Sequence, residues 1–217
     1  MGEVAGSHTS LGSVTFFVFS KLSPMKDIAP LIQHIEKIIP LDDEARHALA
    51  VKVTSKKIRR RQYLLQDGDI CRHYNFVLDG CLRMYLVDEK GTEHVLQFAV
   101  EGGWVADIGS LHTDQPSHFC IDALEPTEVL RIAKEDLIDL YIKHPAFDRY
   151  FRVLTENAFV GMQQRVMQNI SSTAEARYLY FLEKYPHLFN RIPLVQIASF
   201  IGVTPEFLSK IRRNLMA

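Results

Sequence analysis

The sequence predicts an α+β chain with an amino-terminal β jelly roll, then a long helix, then a small all-helical carboxyl-terminal domain. Three observations predict it. Apolar residues alternate with period two from Ile58 to Ile132, in short runs about ten residues apart. The period turns helical after Ile132, and residues 192–216 carry the spacing of a helix-turn-helix.

Of 217 residues, 47% are hydrophobic and 24% charged, which suits a folded protein of one or two domains and excludes disorder, collagen and coiled-coil arrays. The net charge is −1, so polyanion binding requires a local excess of Lys and Arg. Arg191, Lys210, Arg212 and Arg213 against Glu206 supply it, a net +3 from residue 191 onward. Cys71, Cys81 and Cys120 are odd in number and not at metal-ligand spacing, and no secretory leader is recognisable, so a reducing cytoplasm is expected, with the thiols as small buried apolar groups. The apolar stretch Val14 to Phe19 is too short to span a membrane, so no membrane association is expected. Residues 1–24 read as a flexible tail, with Met25 as an alternative start.

The elements follow in order. Leu31, Ile32, Ile35, Ile38 and Ile39 recur at helical spacing until Pro40, and Asp42 or Asp43 caps a second helix to about Lys52. The strands FVLDG, CLRMYLV, EHVLQFAV and FCIDALEPTEVLRI are divided by turn stretches such as DEKG and EGG. Leu82, Met84 and Leu86 are assigned to the barrel interior, and Arg83 and Tyr85 to the other face. On the long helix Phe147, Phe151, Leu154, Ala158, Met162 and Val166 form one stripe, and Tyr150, Val153, Phe159 and Val160 flank it. That is more apolar surface than one barrel contact covers, which predicts a homodimer through this helix. Ser172 to Glu175 read as a capping box opening another helix, which Pro186 stops.

In IPLVQIASFIGVTPEFLSKIRRNLM, Ala198 is small where a second helix must cross, Gly202 makes the turn, and Leu208 anchors the next helix. Thr204 caps that helix, Pro205 takes its first position, and Leu208, Ile211 and Leu215 form its inner stripe. Glu206, Ser209, Lys210 and Arg213 stand at i, i+3, i+4 and i+7 on the outer face. Such a face enters the major groove of double-stranded DNA, with Glu206, Ser209 and Lys210 at base edges and Arg212 and Arg213 at phosphates.

A jelly roll, a long dimer-type helix and a carboxyl-terminal helix-turn-helix, in that order, resemble the catabolite activator and fumarate/nitrate regulator (Crp/Fnr) family of bacterial transcription regulators. The resemblance runs from about Pro40 to Leu215; FVLDGCLRMYLVDEKGTEHVLQFAVEGGW is similar to the family's barrel strands, with Gly80 and Gly91 at its glycine positions. It implies a cyclic-nucleotide-binding-like effector domain over residues 25–145, a dimerisation helix over 146–170 and a DNA-binding domain over 171–217, with RNA polymerase as a further partner. The family's phosphate-binding loop falls on GGWVADIGSLHTDQPSHFCIDAL, residues 102–124. Where cyclic-nucleotide binders carry a Glu, an Arg and a Ser or Thr, this chain has Asp107, Ser117 and His118, and at the purine positions of the helix it has Met162 and Gln163.

A Ser hydroxyl offers one donor and no charge in place of a charged fork. That loss costs about 2 to 5 kcal/mol, or roughly thirtyfold to several-thousandfold in affinity. Cyclic AMP bound in the family manner is therefore not expected, and no cofactor is assigned. The pocket expected in its place is lined by Met84, Leu96, Gln97, Trp104, Asp107, Ser117, His118 and Gln163, with an unidentified small-molecule effector or none. Trp104 and His118 read either as ligand contacts or as satisfied core and rim residues. The cysteine arrangement of the family's iron–sulfur members is also missing, since the first Cys is Cys71.

Two other classes compete. A cupin-like enzyme would need His-x-His, which the chain lacks, and Gly109 and Ser110 do not form a Gly-x-Ser-x-Gly elbow, so no enzyme is expected. A small-molecule-binding module acting through a protein partner would leave the basic face idle.

Overall fold

The structure is a computed structural model that describes residues 27–216; the tail expected over 1–24 and the alternative start at Met25 lie outside the described residues. Helix α1 spans Ala29–Glu36, with Pro30 in its first turn, and buries Leu31 and Ile35. It ends before the Ile38–Ile39 pair that its spacing included, although Ile39 is still buried in the following turn. Helix α2, Asp43–Lys52, is capped by Asp42, whose carboxylate accepts from the Ala45 N–H at 2.8 Å.

Eight strands then make two antiparallel four-stranded sheets. They are β1 (Val53–Ile58), β2 (Tyr63–Leu65), β3 (His73–Asp79), β4 (Leu82–Val87), β5 (Glu93–Ala99), β6 (Trp104–Val105), β7 (Cys120–Ala123) and β8 (Thr127–Ala133), in orders β1-β8-β3-β6 and β2-β7-β4-β5. Strand β1 begins five residues before the expected start at Ile58, because VTSKKI has apolar residues only at its ends and shows no alternation. Gly80, between β3 and β4, has φ +99°, and a Cβ there would sit 2.4 Å from the Thr127 hydroxyl, so only Gly fits. Leu82 and Met84 join the barrel core, whereas Cys81 and Tyr85 pack on the other side of the sheet, as alternation requires.

A short helix α3 (Ile108–Thr113) lies within the loop between β6 and β7. Helix α4 (Lys134–Lys143) follows the barrel, and α5 (Pro145–Ser171) is the long helix, 27 residues or about 40 Å. Its first two turns belong to the barrel core through Phe147, Tyr150 and Phe151, all buried. Tyr150, which helical spacing puts on the free flank, is instead fully buried, with its hydroxyl accepting from Trp104 Nε1 at 2.8 Å, because α1 and sheet β1-β8-β3-β6 enclose the start of the helix on more than one side.

Helix α6 (Ala174–Lys184) is capped one residue later than the capping box placed it. Thr173, not Ser172, accepts from the Ala176 N–H at 3.2 Å, while the Ser172 carbonyl accepts from Arg177. A 3-10 turn (Leu188–Asn190) leads to α7 (Leu194–Ile201) and α8 (Pro205–Met216). Buried Tyr178, Phe181, Ile197, Ala198, Leu208 and Ile211 form the core of this small domain.

Candidate nucleic-acid interface and effector pocket

Helices α7 and α8 are bent 97° from each other, within the range of a helix-turn-helix. Gly202 closes α7 in the left-handed region at φ +72°, and the Val203 N–H returns to the Ala198 carbonyl at 3.0 Å. Thr204 caps α8 by accepting from the Phe207 N–H at 3.2 Å. Leu208 and Ile211 face inward, but Leu215, expected in the same stripe, is 40% exposed, since among the described residues no element covers the last turn.

Thr204, Glu206, Lys210 and Arg213 are exposed on one side of α8. Ser209 is half-buried, and its hydroxyl donates to the Pro205 carbonyl at 2.9 Å, which turns it back along the helix. Arg212, expected at phosphates, is also half-buried: its guanidinium stacks on Phe189 at 4.6 Å and its Nε has no partner. The free charges of the face are thus Lys210 and Arg213, with Arg212 at its edge.

This domain sits on the outer face of sheet β2-β7-β4-β5, which explains why Arg83 points away from the barrel interior. Phe98 of β5 lies 5.3 Å from the Phe200 ring and 6.1 Å from those of Phe181 and Tyr185. Each ring buried there contributes about 1.5 to 3 kcal/mol. Arg83 makes a bidentate pair with Asp122, at 2.7 and 3.0 Å, and also bonds Glu93 and the side-chain Oε1 of Gln196, the latter at 2.7 Å, so one guanidinium ties β4, β5 and β7 to α7. Burial acts against that charge, but the Asp122 and Glu93 carboxylates outweigh it and hold Arg83 more basic than usual.

Ser199 of α7 inserts into the edge of β5, donating to the Glu93 carbonyl at 2.6 Å and accepting from the Val95 N–H at 3.0 Å. Between Met84 and Tyr85 the β4–β5 register slips, leaving Leu96 as a bulge. Arg165 of α5 donates to the freed Leu96 carbonyl, to Val95 at 2.8 Å and to the Phe200 carbonyl at 3.0 Å. Long helix, bulged strand and α7 therefore meet at one side chain.

A second clamp joins Arg191 to Glu101, at 2.7 and 2.9 Å, and to Glu125. The Arg191 hydrogen bond is the main reason the Glu101 carboxyl is lowered from 4.5 to about 2. A depressed carboxyl stabilises the fold above its ordinary value and loses that contribution as pH falls through the folded one. In acid titration the stability advantage of the wild type over Glu101→Gln should be complete above about pH 4.5 and gone near pH 2; a constant gap would place Glu101 outside the clamp.

The eight residues expected at the pocket do not converge. Asp107 and Ser117 satisfy each other: the Ser117 hydroxyl donates to Asp107 Oδ2 at 2.6 Å, and Asp107 Oδ1 caps α3 by accepting from the Ser110 N–H at 3.2 Å. Both are buried. Trp104 belongs to the core, 8% exposed and edge-on to Tyr74 and Phe151, because its strand pairs with β3 and turns the indole toward the helices. His118 points outward with its side chain 93% exposed, and Gln163 is exposed on the far side of α5.

Met84, Leu96 and Gln97 do share a cavity of about 280 Å³, between β4, β5 and α5. Its other walls include Ala158, Met162, Arg165 and Lys184, so it lies where barrel, long helix and carboxyl-terminal domain meet. Burial, and then Arg165 beside it, lower the Lys184 ammonium below its usual range. Sequence reasoning missed Arg165 and Lys184. The available signal was a lone Arg three residues after Met162, within the apolar stripe of α5.

Comparisons with known proteins agree with this geometry. Residues 55–144 match the cyclic nucleotide-binding domain family. The fumarate and nitrate reduction regulatory protein of Vibrio cholerae is 27% identical over 167 residues, covering 72% of this chain and 66% of that protein, slightly under two thirds of its length. Among solved structures, FixK2 from Bradyrhizobium japonicum superposes with a TM-score of 0.66 at 16% identity, over 76% of this chain and 84% of that one. The c-di-GMP responsive global regulator CLP from Xanthomonas campestris also gives 0.66, at 14% identity over 81% and 92%. The chain thus carries, in order, a domain of the cyclic nucleotide-binding family, a long helix and a helix-turn-helix, and over 72% of its length it is similar to a fumarate and nitrate reduction regulatory protein.

Proposed function

We propose that this chain is a DNA-binding transcription regulator, acting as a homodimer in the cytoplasm, whose barrel does not take cyclic AMP in the family manner. The observation that carries the reading is the exposed Lys210–Arg213 face of α8 on a helix-turn-helix whose opposite face is buried. Regulators rather than enzymes are its relatives by name. RNA polymerase is the further partner that the reading implies. The test is selection of bound duplexes from a random pool by the purified full chain. Enrichment of an inverted repeat with half-sites about 34 Å apart is expected; no enrichment would overturn the reading.

The homodimer rests on α5. Phe159, Met162, Val166 and Ile170 follow at gaps of three and four and are 52–82% exposed, beside Val160 and the 67% exposed Met167. A second copy of the same stripe would cover them. Light scattering should give twice the chain mass for the wild type and one chain mass for Met167→Glu with Ile170→Glu; a monomeric wild type would remove the dimer.

The doubt over cyclic AMP is supported by the Asp107–Ser117 hydrogen bond, which uses both groups inside the loop. A different effector is better served by the cavity beside Arg165, since that guanidinium touches β5, α5 and α7 together. A ligand that drew Arg165 away would loosen all three at once.

A further inference from the structure

The barrel holds a second cavity, separate from the one against α5. On β3, Tyr74 and Phe76 face the helices, with Phe76 5.3 Å from the His34 ring of α1 and Tyr74 5.6 Å from Phe151 of α5. Alternation therefore turns His73 and Asn75 between the sheets. There they line a cavity of about 500 Å³ with Arg131 of β8, Cys71, and Ile121 and Leu65 of the opposite sheet. Asn75 and Arg131 are direct cross-strand neighbours.

Two polar atoms of residues that line this cavity are buried and lack partners: Asn75 Oδ1 and Arg131 Nε. Asn75 is 4% exposed, and its amide nitrogen is committed to the His73 and Val105 carbonyls at 3.2 and 3.1 Å, which leaves its oxygen an idle acceptor. Arg131 Nη2 lies 2.7 Å from His73 Nδ1; a guanidinium can only donate, so His73 accepts and is neutral there. Among the described residues no carboxylate pairs with Arg131, and burial holds it less basic than usual. Lys56 pairs with Val129, two residues before Arg131 on the same face, and is lowered by burial and by Arg131. Asp69 also lines the cavity, with its carboxylate accepting from the Gln66 N–H at 3.1 Å, while Glu135 acts on His73 and Asp107 on Cys71.

Two desolvated cations side by side without a counter-ion are costly, and a buried orphan acceptor adds to the cost. A ligand carrying a negative oxygen and a donor would relieve both. We propose that this cavity binds a small metabolite bearing a carboxylate or phosphate, held by Arg131 with Lys56 adding its charge from beside it, and a hydroxyl or amino group donated to Asn75 Oδ1. Its volume suits such a molecule. The site stands apart from the DNA-binding reading, and its test contains no DNA.

The test is calorimetric titration of the full chain, at constant ionic strength, with inorganic phosphate, L-malate and succinate. Saturable binding of phosphate or malate is expected, at least about tenfold weaker in Arg131→Gln and weakened in Lys56→Gln, with Lys90→Gln as a control of equal charge change at a distant turn. Far-UV circular dichroism checks folding, and Lys56→Gln stands in if Arg131→Gln does not fold. Phosphate binding alone identifies a phosphorylated ligand, and malate alone identifies a hydroxy acid. Succinate equal to malate would overturn the role given to Asn75. No saturable binding below about 10 mM, or binding unchanged in Arg131→Gln and Lys56→Gln, would overturn the site.

Discussion

Arg83→Ala is expected to lower the free energy of unfolding by about 3 to 5 kcal/mol. The side chains of Arg83 and Asp122 are only 8% and 6% exposed, so truncation strands a carboxylate away from water with no cation to balance it. Gln196 loses its guanidinium partner at the same time, which detaches α7 from the sheet at that point. The size of the effect lies in the stranded charge rather than in the strength of the pair. Replacing both partners by apolar residues, Arg83→Met with Asp122→Leu, should therefore recover most of the loss. Urea unfolding followed by the single Trp104 and by helical circular dichroism measures both. A single variant within about 1 kcal/mol of wild type would mean that the pair is solvated like a surface bridge, and that the carboxyl-terminal domain does not rest on it.

What was legible in the sequence was local. Period-two alternation placed Leu82 and Met84 inside and Arg83 outside, since a strand has only two faces. The Ala198, Gly202 and Leu208 spacing found the helix-turn-helix because each position imposes its own demand, a close crossing, a left-handed backbone and an anchor. What failed was non-local. Alternation sent Arg83 away from the barrel but could not say that another domain covers it, 113 residues later in the chain at Gln196. Tyr150 looked like part of a free flank because helical spacing does not reveal how many elements surround a turn. Leu215 sat on the correct stripe, but the stripe outlasts the surface beneath it.

The pocket was the least legible part. Asp107 and Ser117 were expected to face a ligand, yet side chains ten residues apart in a loop can satisfy each other, and here they do. Arg165 was passed over because a cation within an apolar stripe reads as an interruption. It became informative only once the β5 bulge showed which carbonyls it meets.

Lys210→Ala with Arg213→Ala is expected to weaken binding to a selected duplex about tenfold to a hundredfold, and to lower the slope of log affinity against log salt by about two. Both side chains are exposed on α8, and among the described residues neither is engaged in an ion pair, so their loss costs the fold little and removes from the dimer two phosphate contacts of Arg213 and two base-edge contacts of Lys210. Arg212→Ala should behave differently. Its guanidinium lies on Phe189, so truncation removes packing from the domain and shows in thermal stability as well as in affinity. Glu206→Ala removes a negative charge; it should strengthen binding to all sequences while flattening the preference at the base it faces. Anisotropy titrations across a range of salt concentrations separate these patterns. An unchanged slope in the Lys210 and Arg213 double variant, from a protein that is folded and dimeric, would leave the basic face idle. The chain would then be a module that signals through a protein partner, because a regulator of this type cannot hold DNA with the central charges of its recognition helix unused.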